Sequence, residues 1–209
     1  SPHRRQNHYR GWIVEMEDSK DQIGVSVTES DGSTIVLRQV RDSFDHTHII
    51  KSEISRGGQG IVCFTENDDF VIKLTMDSTG NVISKEKDPQ KFKQIDNEIR
   101  NITFKPFPDK LHLAYPIARL TEYSGYVMRL MGDMTEYASL VPYSTEEISR
   151  MFTDGGHRRR FELLSKLAAL LAKLHNGGFV YCDLSPRNAF VTKDPELNTQ
   201  NVWLIDADN

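Results

Sequence analysis

The segment VYCDLSPRNAF, residues 180–190, places an aspartate and an asparagine five positions apart, with a proline between them. It follows a long amphipathic stretch that ends in Asn-Gly-Gly, as helices often do. An Asx-Pro turn would account for the Asp-Leu-Ser-Pro part alone. A carboxylate can also accept a proton from an attacking hydroxyl, and a nearby amide oxygen can bind a divalent metal ion. Whether Asp183 and Asn188 form such a pair depends on what the rest of the chain supplies.

The composition bounds the class of protein. The chain has 209 residues, of which 38% are hydrophobic and 27% charged, so it is globular and long enough for one large domain or two lobes. A net charge of −4 does not indicate nucleic acid or an anionic membrane surface as a partner. The two cysteines exclude a disulfide scaffold and favour a reducing, cytoplasmic location. The sequence contains neither an apolar run of membrane-spanning length nor the apolar stretch of a signal peptide.

The first part of the chain has the alternating apolar pattern of β-strands. Two such stretches flank a polar turn at residues 29–33, which predicts a β-hairpin. Three more strands are expected before the first helix. The predicted strands are residues 22–27, 34–40, 48–55, 61–65 and 70–75.

Helices dominate the second part. Asp88 before Pro89 predicts a helix start, and apolar residues at 92, 95, 99 and 102 give that helix one apolar face. Ser144 and Glu147 form a capping-box pattern that predicts a short helix. A long amphipathic helix follows, with its apolar face at 161, 164, 167, 168, 171 and 174. The basic run 157–160 is expected to be a solvated helix start. Further strands are predicted at 113–120, 125–131, 179–181, 189–192 and 202–205, so the fold class is α+β, with a sheet-rich N-terminal lobe.

Two N-terminal features are candidates for phosphate binding. Glycines at 57, 58 and 60 in ISRGGQGIVCF permit positive φ and close approach of backbone N–H groups to a phosphate, although such a hairpin tip can equally be a plain turn. Lys73 is the single lysine in the strand FVIKLT, where it either snorkels at a sheet edge or pairs with phosphate oxygens. Glu98 is its candidate carboxylate partner, or else a solvated residue beside the helix's apolar face.

A second carboxylate follows the last strand. Asp206 comes directly after Val-Trp-Leu-Ile, and an acidic residue at a strand end facing a cleft suits an Mg²⁺ ion that bridges two phosphates. Asp208 either assists or caps a turn. The chain thus presents, in order, a glycine loop, a lysine, a glutamate, an aspartate with an asparagine, and a last aspartate.

From Ile54 onward, this ordered set resembles the protein-kinase-like superfamily. The pattern Ser55-x-Gly57-x-x-Gly60-x-Val62 is similar to the family's Gly-x-Gly-x-x-Gly-x-Val loop, with serine for the first glycine. The resemblance implies a bilobal kinase-like fold that uses ATP and Mg²⁺. It divides the chain into a β-rich extension (1–47), an N-lobe with an αC helix (48–131), and a hinge with a partial helical C-lobe (132–209).

The resemblance also implies residue roles. Lys73 would bind the α- and β-phosphates, and Glu98 would orient it from the αC helix. Asp183 would be the catalytic base, while Asn188 and Asp206 would bind Mg²⁺. Residues 126–132 are similar to the strand that enters the interlobe hinge. The implied nucleotide-binding residues are Ser55, Gly57, Gly58, Gly60, Val62, Lys73, the gatekeeper Met128, Arg129, Leu130 and Met131.

The sequence also departs from the family pattern. Tyr181-Cys182 replaces the His-Arg before the catalytic aspartate, so activation by a phosphorylated loop that docks on that arginine is not expected. Ser185 replaces a common lysine, and Asp-Ala-Asp replaces Asp-Phe-Gly at 206–208. These motifs look most like those of divergent bacterial serine/threonine kinase-like proteins. The chain stops at Asn209, so we expect a fragment, or a chain whose partner supplies the rest of the helical lobe.

Three functions are consistent with these motifs. The first is ATP-dependent phosphoryl transfer to a serine or threonine hydroxyl of a protein. The second is a small-molecule kinase of the aminoglycoside or choline type, against which the well-formed glycine loop argues. The third is a nucleotide-binding pseudokinase scaffold. The altered His-Arg and Phe-Gly elements motivate it, but a scaffold would not need to retain Lys73, Glu98, Asp183, Asn188 and Asp206 together.

Overall fold

The computed structural model describes residues 23–58, 60–108, 111–142 and 144–205. The strands are β1 (Val25–Thr28), β2 (Thr34–Leu37), β3 (Gln39–Arg41), β4 (Thr47–Arg56), β5 (Gly60–Thr65), β6 (Phe70–Thr75), β7 (Ala118–Arg119), β8 (Gly125–Arg129), β9 (Met134–Glu136), β10 (Ala189–Thr192) and β11 (Val202–Leu204). The helices are α1 (Pro89–Thr103), α2 (Thr145–Thr153) and α3 (Gly156–Asn176), with a 3₁₀ turn at Tyr137–Leu140. No described helix has the length and apolarity that crossing a bilayer requires.

A six-stranded antiparallel sheet organises the first part of the chain. Its strand order is β3-β4-β5-β6-β8-β7, so β6, which carries Lys73, is flanked on both sides. Alternate residues of each strand face opposite sides of the sheet. The outer face carries Ile72, Leu74 and Val127 and is covered in part by the β1–β2 hairpin through Val25 and Val27.

The inner face of the sheet packs against α1. Asp88 caps this helix, because its Oδ1 accepts a hydrogen bond from the Lys91 N–H at 3.1 Å, and proline occupies the first turn. Phe92, Ile99 and Ile102 are buried, which confirms the predicted apolar face. An ion pair links α1 to the edge strand β7, with Asp96 Oδ2 and Arg119 Nη1 2.5 Å apart.

The second part of the chain contains α2, α3 and a small sheet. The β10–β11 hairpin pairs with β9 to form a three-stranded antiparallel sheet. Leu170 and Leu174 of α3 pack with Ala189 and Leu204 of that hairpin. The predicted cap at Ser144 is confirmed, because its Oγ accepts a hydrogen bond from the Glu147 N–H at 3.3 Å. The mixed α+β architecture, with its sheet-rich part first, is confirmed.

Some local predictions are wrong. The strand predicted at 113–120 is reduced to the two residues of β7, because residues 111–115 instead form a connection that hydrogen-bonds to β11. Residues 179–181 form no strand, and β9 was not predicted. In α3 the buried residues are Arg159, Leu163, Leu170 and Leu174. Phe161 and Leu164, predicted to face the core, are exposed.

Arg159 corrects the prediction of a solvated basic run. Its side chain is 5% exposed and its guanidinium donates to Gln200 Oε1 at 3.0 Å and to the carbonyls of Thr192 and Lys193. Burial disfavours the charged form and lowers the pKa of Arg159. This guanidinium therefore fastens the start of α3 to the end of β10 and to the loop before β11.

Candidate functional site

Asp183 and Asn188 are linked directly. The Asn188 side-chain Nδ2 donates to the Asp183 carboxylate at 2.8 Å and to the Asp183 carbonyl at 3.0 Å. The Asn188 backbone N–H donates to the Ser185 carbonyl at 3.1 Å, which closes the turn that contains Pro186. Because Nδ2 makes both side-chain bonds, Oδ1 is the atom of Asn188 that is left to bind a cation. The spacing of five residues thus produces one bridged polar pair.

The end of β11 is fixed to the same loop. The Ile205 N–H donates to the Asn188 carbonyl at 3.0 Å, and the Tyr181 hydroxyl donates to the Ile205 carbonyl. Both backbone groups of the residue that precedes Asp206 are therefore held by the loop that carries Asp183. Asp206 itself lies outside the described residues, so its predicted role as a metal ligand stays a prediction.

The predicted glycine loop is the turn between β4 and β5. Gly57 N–H donates to the Gly60 carbonyl at 2.9 Å across the tip, and Ser55 pairs with Val62 in the ladder. Neither Gly57 nor Gly58 adopts a positive φ, and the predicted role of the loop in phosphate binding stays a prediction. A Cβ at Gly60 would lie 2.4 Å from the Leu74 carbonyl oxygen. Close packing between β5 and β6 therefore explains this glycine without a ligand.

Lys73 lies on the inner face of the sheet. Val62 on β5 and Tyr126 on β8 are its neighbours in the ladder. The side chain is 7% exposed, and its ammonium lies 5.6 Å from the centre of the Tyr126 ring. A lysine at a sheet edge would reach water, whereas Lys73 is in a flanked strand and is buried. The snorkelling interpretation is thereby disfavoured.

Glu98 lies on the exposed side of α1. Its carboxylate accepts a hydrogen bond from Gln94 Nε2 at 3.3 Å, one turn earlier in the same helix. Within the described residues, Glu98 and Lys73 form no ion pair. The role of Glu98 as the carboxylate that orients Lys73 stays a prediction.

The predicted hinge follows β8. Met128 is buried, Arg129 is exposed, and Leu130 and Met131 are partly buried. The Leu130 N–H donates to the Asp69 carbonyl at 2.9 Å, whereas the Met131 N–H has no acceptor among the described residues. Met131 therefore offers a backbone donor at the position where a purine edge is expected.

One core joins the inner face of the sheet to the loop of Asp183. Val62, Val71 and Met128 from the sheet pack in the same buried cluster as Phe190 and Ile205 from the β10–β11 hairpin. Phe190 is two residues after Asn188, and Val71 is two residues before Lys73 on the same face of β6. The strand of Lys73 and the loop of Asp183 thus border one region of the molecule.

No protein-family model matches the chain, and no curated protein matches it. The fold is similar to that of a solved structure described as vaccinia related kinase 3. The TM-score is 0.43 and the sequence identity 19%, over 90% of this chain and 51% of that chain. This chain therefore spans about half the length of that kinase. The likeness concerns the fold alone and assigns no residue, substrate or activity.

Some residues near the candidate site were not predicted from the sequence, because their role depends on contacts with distant parts of the chain. Tyr181 was noted only as a departure from a motif, yet its hydroxyl binds the Ile205 carbonyl. Phe190 and Tyr126 were strand residues without an assigned role, and both are buried in the cluster beside the site. Glu136 pairs with Phe190 across β9 and β10. Burial raises the pKa of the Glu136 carboxyl, and the charge of Arg187 partly opposes this. The sequence signal for Tyr181 and Phe190 is their spacing, because each aromatic residue lies two positions from a candidate site residue, Asp183 or Asn188.

Proposed function

We propose that this chain forms the ATP-binding part of a Mg²⁺-dependent, kinase-like phosphotransferase whose acceptor is a serine or threonine hydroxyl of a protein. The observation that carries the proposal is the bridge from Asn188 to Asp183, held against Ile205 beside the strand of Lys73. A hydrogen-bonded turn alone would not need a buried lysine on β6, the strand whose Val71 packs in the same cluster as Ile205. The domain division at residues 47 and 131 and the cytoplasmic location remain parts of this proposal.

The residues present suit the chemistry of the two proposed ligands. Mg²⁺ prefers oxygen ligands, and Asn188 Oδ1 is the side-chain atom of that residue that is not used in bonding Asp183. A buried ammonium on a rigid strand is suited to phosphate oxygens, and the Met131 N–H is suited to a purine ring nitrogen. When bound, Mg²⁺ would neutralise charge on the phosphates.

In the proposed reaction, the chain's own groups position the acceptor and accept its proton. The acceptor oxygen forms a bond to the γ-phosphorus of ATP while the bond from that phosphorus to the β,γ-bridging oxygen breaks and ADP leaves. The hydroxyl proton passes to the Asp183 carboxylate, which is exposed and oriented by Asn188. Lys73 would stabilise the phosphate oxygens, and the apolar cluster that contains Phe190 would exclude water from one side.

A titration of ATP with and without Mg²⁺ tests this proposal at Asn188. We expect Mg²⁺ to tighten ATP binding to the unmodified chain, and Asn188→Ala to reduce that gain by about tenfold or more. ATP binding in the absence of metal should survive the substitution. Asn97→Ala, on the exposed side of α1, is the matched control and should behave like the unmodified chain. An equal gain from Mg²⁺ in Asn188→Ala would rule out this asparagine as a metal ligand.

One observation favours a second candidate, a nucleotide-binding scaffold without transferase activity. Glu98 bonds within its own helix and forms no ion pair with Lys73 in the described part of the chain. If a scaffold role is correct, ATP binds and no phosphate is transferred to any acceptor, and Asp183→Asn changes neither result. The small-molecule kinase alternative gains no comparable support from the described residues.

Partners are also a matter of proposal. Large apolar side chains on α2 and α3 are exposed at Phe152, Phe161 and Leu164, with Phe152 69% and Phe161 68% exposed. Contiguous exposed apolar patches mark contact surfaces, and Phe161 and Leu164 lie one turn apart on α3. They support the proposal that the remainder of a helical lobe, from a longer chain or a partner, packs on α2 and α3.

A further inference from the structure

A large cavity lies on the outer face of the six-stranded sheet. It measures about 680 Å³, within the range of small-molecule binding sites. Phe70, Ile117 and Val127 form its floor, and all three belong to the buried cluster on the outer face or pack against it. Lys73 and the cluster with Phe190 face the opposite side of the sheet. The cavity is therefore separate from the candidate phosphotransfer site.

The turn between β3 and β4 forms a fixed wall of this cavity. Asp42 is buried at its base and accepts hydrogen bonds from the backbone N–H groups of Phe44 and His46 at 2.8 and 3.1 Å. His48 Nε2 contacts the same carboxylate at 2.8 Å. The Ser43 N–H donates to the Arg119 carbonyl at 2.8 Å, which ties the turn to β7. These hydrogen bonds hold the turn in place, so this side of the cavity is preformed.

Two carboxyl groups and two imidazoles line the cavity. Neither lysine nor arginine is among its described residues, whereas Asp42 and Glu66 contribute carboxylates. Burial opposes ionisation of Asp42, but the hydrogen bonds from His48, Phe44 and His46 outweigh it and lower the pKa of this carboxyl. Asp42 therefore stays charged. Glu66 is exposed, and its carboxylate forms no hydrogen bond or ion pair with any described residue, although its backbone N–H donates to the Ile49 carbonyl at 3.0 Å.

Aromatic rings complete the lining. Phe44 is 66% exposed and stands at the mouth, and Phe70 lies on the floor. A ring face attracts a cation, most strongly where water is partly excluded. An apolar floor, two aromatic rings and an unpaired rim carboxylate together match a ligand with an apolar body and a positive head.

We propose that this outer-face cavity binds an amphiphilic amine. The apolar body lies on Phe70, Ile117 and Val127, and the protonated nitrogen pairs with the Glu66 carboxylate near the Phe44 ring. This site is independent of the nucleotide site, so it stands even if the proposed phosphotransferase function does not.

Three small molecules that share a phenylbutyl group and differ in the charge of their polar end test the proposal. These are 4-phenylbutylamine, 4-phenylbutanol and 4-phenylbutanoate, titrated into ¹⁵N-labelled protein and followed by amide chemical shifts. We expect the amine to shift resonances from residues 42–49, 65–70 and 117–118, and to bind about tenfold tighter than the carboxylate. Glu66→Gln should remove most of that preference. Glu86→Gln, an exposed glutamate outside the cavity, should leave it unchanged.

A blocking variant and a competition complete the test. Thr47→Trp places a large ring at an exposed lining position and should abolish amine binding while the spectrum outside the cavity is retained. Saturating ATP with Mg²⁺ should leave amine binding unchanged. The proposal is overturned if the carboxylate binds as tightly as the amine, or if ATP competes with the amine. Shifts centred on Lys73 and Asp183, or no saturation by about 10 mM amine, would overturn it as well.

Discussion

At the residue scale, Asn188 connects three parts of the candidate site. Its Nδ2 donates to Asp183, its backbone carbonyl accepts from Ile205, and its Oδ1 is left for a cation. An aspartate at this position could not donate to Asp183, and two adjacent carboxylates would repel each other. The amide is therefore suited to hold a carboxylate and a metal at the same time.

Asp183→Asn should separate binding from chemistry. We expect ATP affinity to remain within about twofold, because the carboxylate is assigned to the acceptor's proton and not to the nucleotide. Transfer of labelled γ-phosphate to hydroxyl-bearing peptides should fall by about 100-fold or more, the usual effect of losing a general base. The measurement is a radiolabel transfer assay. Asp68→Asn, a change to an exposed aspartate on the β5–β6 turn, is the control. Undiminished transfer by Asp183→Asn would show that the base has been assigned wrongly.

The sequence allowed the Asp183–Asn188 pair to be predicted, because residue type, spacing and an intervening proline are local properties. The hydrogen bond from Tyr181 to Ile205 could not be predicted in the same way. It joins residues 24 positions apart, and it depends on how β11 lies against the loop. The exposure of Glu98 could not be predicted either. It depends on how α1 is rotated about its own axis against the sheet, and the pattern of apolar residues defines that rotation only to within about one residue.

At the element scale, the β5–β6 ladder limits what can occupy Gly60. A methyl group there would lie 2.4 Å from the Leu74 carbonyl oxygen, so one of the two strands would have to move. A Cβ at Gly58 would meet nothing within 4 Å. The two glycines of one loop therefore differ in what they contribute to stability.

Gly60→Ala should destabilise the protein, and Gly58→Ala should not. We expect the free energy of unfolding to fall by about 1–3 kcal/mol for Gly60→Ala, as for other overpacked positions. Gly58→Ala should change it by about 0.5 kcal/mol or less, as for other unstrained surface sites. Urea denaturation followed by circular dichroism measures both values. Equal stability of the two variants would contradict the close approach of β5 and β6.

Arg159→Met should destabilise the second part of the chain more than Arg158→Met. Removing the guanidinium leaves the buried Gln200 side chain and the Thr192 carbonyl without their donor, which costs about 2–4 kcal/mol. Arg158 is an exposed neighbour on the same helix, and we expect its substitution to cost about 0.5 kcal/mol or less. Urea midpoints of the two variants, measured side by side, check this difference. Similar midpoints would show that the buried network does not stabilise α3.

The sequence predicted most elements because apolar alternation and capping residues are local signals. The β1–β2 hairpin, β4 to β6, and the start of α1 at Asp88 are examples. β9 was missed because it has only three residues and depends on pairing with β10. The face of α3 was predicted correctly at Leu167, Leu171 and Leu174 but not at Phe161 and Leu164, because that helix has apolar residues on more than one side. Tertiary contacts of Leu163 and Arg159 decide which side is buried.

At the scale of the whole molecule, the sheet separates two environments. Its outer face holds the cavity with Glu66 and Phe44, and its inner face joins the β10–β11 hairpin through Phe190. Because the strands are shared, a ligand on either face contacts the same six-stranded element. The two proposals can nevertheless be tested separately, since their residues do not overlap.

The central claim is that the strand of Lys73 and the loop of Asp183 form a nucleotide site, and calorimetric titration with ATP tests it most directly. The unmodified chain, Lys73→Ala and Lys93→Ala would be titrated with and without Mg²⁺, Lys93 being an exposed lysine on α1. We predict Mg²⁺-dependent ATP binding to the unmodified chain and to Lys93→Ala. The affinity for ATP in the presence of Mg²⁺ should fall by about tenfold or more in Lys73→Ala. ATP binding of equal affinity in Lys73→Ala, or no binding by the folded, unmodified chain, would contradict the account.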